Sequence, residues 1–213
     1  MLGELNLRNA MVFRIVHVDN VPWILDHGLH CRNSKVVDPN FVQIGNSDLI
    51  DGRHHRRIRG PYGGTLSDYV PFYFTPLSPM FLNIKTGWRG VRQRSNREIA
   101  ILFTSLRKVQ KLGLPFIFTD RHAYLETAQA FTDLDHLDKI DWAILRRHDF
   151  KRDPENPEKV ERYEAEALIH KHLPIDALDG IACFDTVCAF RLQGYVTQRN
   201  QAIKIDVAPR WYF

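Results

Sequence analysis

A glutamate at the start of an apolar run is the residue best placed to do chemistry in this 213-residue chain. Glu166 follows a charge-dense stretch, residues 152–162, and is followed by the apolar residues 167–169. Such a run predicts a short buried strand, which would anchor the glutamate while its carboxylate faces a cleft. Because glutamates usually lie on solvated surfaces, Glu166 becomes a catalytic candidate only if the chain supplies partners for it.

The most basic segment could supply an anion-binding partner. Four arginines and two histidines fall within residues 53–59. A guanidinium can hold phosphate oxygens through two parallel hydrogen bonds, although a run of this kind is most often a solvated face. Residues 45–47, Gly-Asn-Ser, could also present backbone N–H groups to a phosphate or begin a helix, and a simple turn is the plainer interpretation.

Aromatic residues offer a flat wall for a ring-shaped ligand. Residues 69–74 read Tyr-Val-Pro-Phe-Tyr-Phe, which is typical of a core strand with Pro71 near its start. Residues 86–97 form a basic loop around Trp88, a mixture that suits nucleic acid and that a solvated loop explains equally well. Together with His17, the carboxylate, the arginines and the aromatic wall could bind a nucleotide diphosphate.

Other chemistries lack their motifs in this chain. There is no Walker A sequence and no Gly-x-Gly-x-x-Gly turn after a strand, so a standard NTPase or Rossmann site is unsupported. The one metal-like cluster, residues 27–31, has no second ligand pair at matching spacing, and we expect no metal.

Composition is that of one globular domain with a mildly basic charge. The net charge of +4 permits an anionic partner without proving one. Three scattered cysteines fit a reducing compartment. No apolar run approaches the ~18 residues of a membrane span, and residues 1–4 do not begin a signal peptide, so we expect a cytoplasmic protein.

Short strands and interspersed helices predict an α+β fold. Residues 10–18 alternate like a strand, and the helix after it would be capped by Asp19 and Asn20 and ended by Gly28. This unit would place His17 and the cap at one rim. Further strands are predicted over 70–75, 98–105, 114–119, 166–172, 180–184 and 203–207, helices over 106–111, 123–132, 134–140 and 187–200, and a charged loop over 150–162.

Five blocks, spread in order over nearly the whole chain, resemble the DarT family of toxin enzymes that ADP-ribosylate DNA. They are residues 14–20, 50–53, 63–80, 113–122 and 165–169, of which the long 63–80 block is the most specific. The resemblance implies an ADP-ribosyltransferase fold, a curved split β core with surrounding helices, in a single domain over residues 1–213.

The resemblance also implies the reaction. The family cleaves the nicotinamide–ribose bond of NAD+, its co-substrate, and attaches ADP-ribose to a base in single-stranded DNA, usually thymidine. A macrodomain antitoxin, DarG, is the partner that reverses the modification. Two alternatives are an ADP-ribosyltransferase that acts on RNA or protein and a nucleic-acid-binding module without catalytic activity.

Two residues match the family's catalytic positions. Glu166 matches the glutamate of the family's Ala-Glu block, and Arg53 matches the arginine of its Ile-x-Asp/Glu-x-Arg block. The arginine run leaves a choice among Arg53, Arg56 and Arg57, and the spacing from Ile50 favours Arg53. Glu166 could stabilise the oxocarbenium-like ribose or accept the proton from thymine N3, while Arg53 would hold the NAD+ diphosphate or the base carbonyl.

Other positions are expected to contact NAD+ or DNA. His17 and Asn20 match a turn beside NAD+, Tyr73 and Met80 fall in the block on the nicotinamide side, and Gly45 is a candidate backbone contact. Some relatives carry His where this chain has Arg14, so no nicotinamide contact is transferred to that side chain. The candidate DNA contacts are Arg56, Arg57, Trp88, Arg92, Arg121 and His122.

Overall fold

The structure is a computed structural model that describes residues 5–213, so the signal-peptide prediction for residues 1–4 lies outside the described residues. The strands are β1 Met11–His17, β2 Leu29–His30, β3 Tyr69–Tyr73, β4 Ile99–Ser105, β5 Phe116–Thr119, β6 Ala130–Phe131, β7 Glu166–His170, β8 His172–Leu173, β9 Gly180–Cys183 and β10 Ile205–Val207. The α-helices are α1 Val21–His27, α2 Ser47–His55, α3 Pro79–Thr86, α4 Leu106–Lys111, α5 Trp142–Arg147, α6 Lys159–Tyr163 and α7 Thr186–Gln198. Short 3-10 helices connect them at Val18–Asn20, Leu66–Asp68, Trp88–Gly90, Asn96–Glu98, Leu134–Lys139, Ile175–Ala177 and Pro209–Trp211.

An eight-stranded sheet in the order β10-β9-β4-β1-β3-β7-β5-β6 forms the centre of the molecule, and β2 pairs with β8 in a separate two-stranded sheet. All pairs in the large sheet are antiparallel except β9 with β10. Apolar side chains from both faces are buried, which explains why β4 and β7 read as almost continuous apolar runs.

The large sheet is split between β1 and β3. These strands share one registered pair, Phe13 with Tyr73, whereas β1 and β4 share seven and β3 and β7 share five. The N–H and C=O of a residue point to the same side of an antiparallel strand. The Pro71 carbonyl accepts a hydrogen bond from Arg14 Nη1 at 2.8 Å, so this edge of Pro71 faces the split. Proline has no N–H, and the missing donor belongs to the same edge. Pro71 therefore does not interrupt the hydrogen bonds between β3 and β7.

The predicted strands are present with ends shifted by a few residues, and the α+β class is confirmed. The helix predicted over residues 123–132 is wrong, because residues 130–131 pair with β5 as strand β6 and side chains accept from the backbone N–H groups before them. Asp120 accepts from Gln129 N, His122 accepts from Tyr124 N, and Glu166 accepts from Ala123 N.

Smaller differences lie at two other segments. The predicted 134–140 helix is a 3-10 helix, Leu134–Lys139, and α6 occupies the end of the predicted 150–162 loop. Residues 45–47 do begin a helix, because the Asn46 side chain accepts from Leu49 N and caps α2. No helix within residues 5–213 is long and apolar enough to cross a membrane.

Gly28 joins α1 to β2 at a close approach of two chain segments. Its φ is 75°, and a Cβ there would lie 2.6 Å from both His172 Nε2 and the Leu173 carbonyl oxygen. We expect Gly28→Ala to lower the free energy of unfolding by about 2–3 kcal/mol, measured by urea denaturation. Gly113→Ala is the matched control, because φ is 68° and nothing lies within 4 Å of its added Cβ. Equal losses in the two variants would contradict a rigid contact at Gly28.

Candidate active site

A buried ion pair joins the two residues that were predicted to be catalytic. Arg53 Nη1 donates to Glu166 Oε1 at 3.2 Å, and Arg53 Nη2 donates to Oε2 at 2.9 Å. The Glu166 side chain is fully buried, and that of Arg53 is 15% exposed. Two parallel charge-assisted bonds fix the plane of the carboxylate as well as its position. Of the three arginines that the spacing left open, Arg53 is the one that contacts Glu166.

Each member of the pair is positioned by its own element. Arg53 lies in the last turn of α2, whose start is capped by Asn46. Glu166 is the first residue of β7 and pairs with Tyr73 at the end of β3. The Ala123 N–H donates to Glu166 Oε1 at 3.0 Å and supplies a third hydrogen bond to the carboxylate.

Opposing effects act on the pKa of Glu166, and their sum lowers it. Burial raises the pKa, but the charges of Arg53 and His122 and the hydrogen bonds from Arg53 and Ala123 outweigh burial. His122 Nδ1 lies 3.9 Å from Glu166 Oε1. Glu166 is therefore a stable anion near neutral pH, which suits stabilisation of a positive charge better than proton abstraction.

Two more polar side chains lie beside the pair. Burial and the nearby Arg53 charge lower the pKa of Arg14 to about 10, so Arg14 is still cationic at neutral pH. Burial and the Glu166 carboxylate raise the pKa of the Tyr73 phenol, so this hydroxyl stays protonated. Two buried guanidiniums against one carboxylate leave the centre of the site positive, which favours an anionic ligand.

A cavity of about 380 Å³ opens in front of the ion pair, within the size range of small-molecule sites. The predicted site residues that line it are Asn20, Gly45, Arg53, Tyr73, Met80, His122 and Glu166. They come from the 3-10 helix Val18–Asn20, α2, β3, α3, β7 and two loops, so the fold brings together groups from most of the chain.

The segment between β2 and α2 forms the far wall of this cavity. Val36, Val37 and Phe41 line the wall and are partly exposed, which is unusual for large apolar side chains in a loop. Asn20 holds the segment, because its side chain donates to the Val42 carbonyl at 2.9 Å and accepts from Val42 N at 2.8 Å. Apolar residues within the otherwise polar segment 31–47 are the sequence signal for this cavity wall.

His17 does not line the cavity. Its Nδ1 accepts from Asp19 N at 3.2 Å, and its Nε2 lies 3.7 Å from Glu98 Oε1 on the side of β1 away from the ion pair. Of the two residues in the predicted turn, Asn20 lines the cavity and His17 does not.

The predicted DNA contacts are dispersed. Trp88 is 65% exposed, and Arg92 is exposed in the same basic loop. Arg121 pairs with Asp120, Glu158 and Glu161 and lines neither cavity, so its guanidinium is already occupied. Arg56 and Arg57 line a second cavity beside the first.

Two features of the site were missed or misjudged from the sequence. The Ala123 N–H is a backbone donor, so the residue type does not reveal its contact with Glu166. Glu164, two positions before Glu166, is half-buried, and burial raises the pKa of its carboxyl despite the nearby His122 charge. Glu164 caps the end of α6, so β7 does not extend to it.

Burial of His17 predicts an acid-sensitive stability. Desolvation lowers the pKa of His17 below 6.5 in the folded protein although Asp19 and Glu98 act in the opposite direction. The unfolded chain then binds more protons between the folded pKa and 6.5, so the free energy of unfolding falls as the pH drops through that window. We expect His17→Gln to flatten this slope in urea titrations between about pH 5 and 6.5, with exposed His136→Gln as control. An unchanged slope in His17→Gln would assign the effect to other groups.

No group of three or more His, Cys, Asp or Glu side chains within residues 5–213 could hold a metal ion. What the site can do follows from its own groups. A buried carboxylate anion can stabilise a developing cation in a water-poor cavity, and the adjacent guanidiniums can hold a diphosphate.

Comparison with known proteins agrees with this geometry. The sequence pattern of the family described as ssDNA thymidine ADP-ribosyltransferase, DarT, matches residues 13–213. A DNA ADP-ribosyl transferase of Escherichia coli O127:H6 is 50% identical over 211 residues, which are 99% of this chain and 97% of the relative.

Two solved structures are similar over almost the whole chain. Thermus sp. 2.9 DarT in complex with ADP-ribosylated ssDNA superposes with a TM-score of 0.89 at 30% identity and covers 97% of each chain. The same Thermus protein in complex with NAD+ superposes with a TM-score of 0.85 at 30% identity, over 96% of this chain and 98% of that one.

Proposed function

Because the chain belongs to the DarT family of ssDNA thymidine ADP-ribosyltransferases, we propose that Glu166 and Arg53 form the catalytic pair of its reaction. The chain is an NAD+-dependent enzyme that transfers ADP-ribose to single-stranded DNA. The observation that carries the proposed pair is the bidentate contact between two nearly buried side chains at the end of the cavity. Because a buried ion pair gives little net stability, a pair that lines a cavity is a candidate for function.

The 380 Å³ cavity is the proposed NAD+ site. Arg14 and Arg53 supply positive charge for the diphosphate, and Tyr73 and Met80 supply flat and apolar surface for the nicotinamide side. Gly45 lines the cavity wall, where an added Cβ would lie 3.2 Å from Ile50 Cδ1 and would require a small shift of that side chain. His17 stays a prediction without a contact to support it.

The first step is loss of nicotinamide. The bond between the ribose C1 and the nicotinamide nitrogen breaks, its electron pair leaves with nicotinamide, and positive charge develops on the ribose. Glu166, held as an anion by Arg53 and Ala123, stabilises that charge. The stabilisation is large because the carboxylate is already oriented and fully buried.

The second step forms the bond to DNA. A ring nitrogen of thymine, N3, attacks the ribose C1 to form the new N–C bond, and the proton of N3 passes to solvent water. The low pKa of Glu166 favours the electrostatic role over that of base, and Arg53 orients the reactants. His122 lines the cavity with Nδ1 3.9 Å from Glu166 Oε1, which supports a contact between this side chain and the incoming base. Trp88 and the basic loop around it supply stacking and backbone contacts farther along the strand.

The remaining proposals concern context. A macrodomain antitoxin of the DarG type is the proposed partner, and the cytoplasm is the proposed location because NAD+ and single-stranded DNA are found there. We propose one ADP-ribosyltransferase domain over residues 1–213, since both halves of the split sheet contribute to the one cavity.

Incubation with NAD+ and a panel of short single-stranded DNAs tests the proposed reaction, with mass spectrometry of the products. The expected result is addition of one ADP-ribose to oligonucleotides that contain thymidine, with release of nicotinamide. Matched RNA oligonucleotides and protein substrates serve as controls. Modification of RNA or protein without modification of any DNA would contradict the proposed acceptor.

A further inference from the structure

A second cavity, of about 440 Å³, lies beside the active site and shares no lining residue with it. Its walls come from residues 56–59, which follow α2, and from the turn over residues 123–130, with Thr119 at the end of β5. Three arginines, Arg56, Arg57 and Arg59, face a single glutamate, Glu126. The second cavity is therefore positively charged.

A wall one residue thick separates the two cavities. His122 and Tyr124 line the active-site cavity, whereas Ala123 and Leu125 line the second cavity. The Ala123 N–H donates to Glu166 at 3.0 Å from within this wall. The same division holds on the other side, where Arg53 lines the first cavity and Arg56 the second. A strand whose target base lies at Glu166 would thus run past the second cavity.

The Arg56 backbone is fixed by hydrogen bonds, but its guanidinium makes few contacts with the described residues. Its one ion pair is with Glu126 at 3.4 Å, and the Glu126 side chain is 92% exposed, so the pair is weak. Arg56 Nε is buried and has no hydrogen-bond partner among the described residues. The Arg56 carbonyl accepts from Leu66 N at 2.9 Å, and Ile58 N donates to Gly64 at 3.2 Å, which fixes the backbone on both sides.

We propose that the second cavity binds a backbone phosphate of the DNA strand, next to the thymidine being modified, with Arg56 as the principal ligand. The inference rests on the proposed function and adds a place for the strand. Guanidinium groups favour phosphate oxygens, and phosphate contacts position a strand without reading its sequence. No aromatic side chain lines the second cavity in the described residues, so base stacking is not its role. Ile58 and Leu125 offer apolar surface to the sugar.

Replacement of Arg56 by Gln tests the contact with the intact enzyme. For a single-stranded oligonucleotide that the wild type modifies, we expect kcat/KM to fall about tenfold while the KM for NAD+ is unchanged. The slope of log binding constant against log salt concentration should become shallower by about 0.7. Arg56→Lys keeps the charge and should restore the slope. Lys111→Gln, which removes an exposed charge at the end of α4, is the control.

Neutral phosphates locate the contact on the DNA. Methylphosphonate is placed in turn at each phosphate on either side of the thymidine. At one position the methylphosphonate should lower the kcat/KM of the wild type about tenfold. The same methylphosphonate should not lower the kcat/KM of Arg56→Gln further, because both changes remove the same interaction. Wild-type kcat/KM in Arg56→Gln, or losses that multiply at every phosphate, would overturn the inference. Absence of any thymidine modification by the wild type would instead overturn the proposed function.

Discussion

Glu166→Gln is expected to reduce ADP-ribosylation of single-stranded DNA by about a thousandfold or more while the fold is retained. The amide has the shape of the carboxylate, so the packing around a fully buried side chain changes little. It lacks the negative charge that stabilises the developing ribose cation. Transfer rates are measured by mass spectrometry under saturating NAD+, and the melting temperature reports the fold.

Glu164→Gln is the matched control for this variant. It removes a carboxylate two positions earlier in the chain, where the side chain does not line the cavity. We expect less than a tenfold loss, because Glu164 does not contact Arg53 or the reacting groups. A large loss in Glu164→Gln together with normal transfer by Glu166→Gln would move the catalytic role to the earlier carboxylate.

Arg53→Lys is expected to lower kcat/KM for the transfer by about ten- to a hundredfold. Lysine keeps the positive charge but cannot make the two parallel bonds that orient the Glu166 carboxylate. The loss should appear in both the KM for NAD+ and kcat, since Arg53 also faces the cavity. Steady-state kinetics with varied NAD+ and saturating oligonucleotide separate the two parameters.

Arg53→Ala adds a dependence on pH that Arg53→Lys lacks. Burial raises the pKa of Glu166, and without the guanidinium only His122 and Ala123 lower it. The pKa of the carboxyl therefore rises in Arg53→Ala. Residual transfer should then increase with pH as Glu166 ionises, whereas the wild type is already ionised. Arg57→Gln is the control for the general loss of positive charge. Near-normal transfer by Arg53→Ala with strong loss in Arg57→Gln would move the role to Arg57.

Local sequence patterns predicted much of the fold and the candidates for the reactive groups. Apolar runs depend on interactions within a few residues, which is why β4 and α4 follow from the chain alone. The five family blocks identified Glu166 and Arg53 because each block is contiguous. The failed helix over residues 123–132 shows the limit, since Ala123 N donates to the distant Glu166 and residues 130–131 pair with β5.

Tertiary structure alone decided how those groups meet. Arg53 and Glu166 are 113 residues apart, and their contact depends on β3 and β7 being neighbours and on α2 ending beside them. The partial burial of Glu164 and the position of His17 outside the cavity likewise depend on segments that are distant in the sequence. Periodicity reports which face of an element is apolar, but the pKa of a carboxylate depends on every group that packs against it.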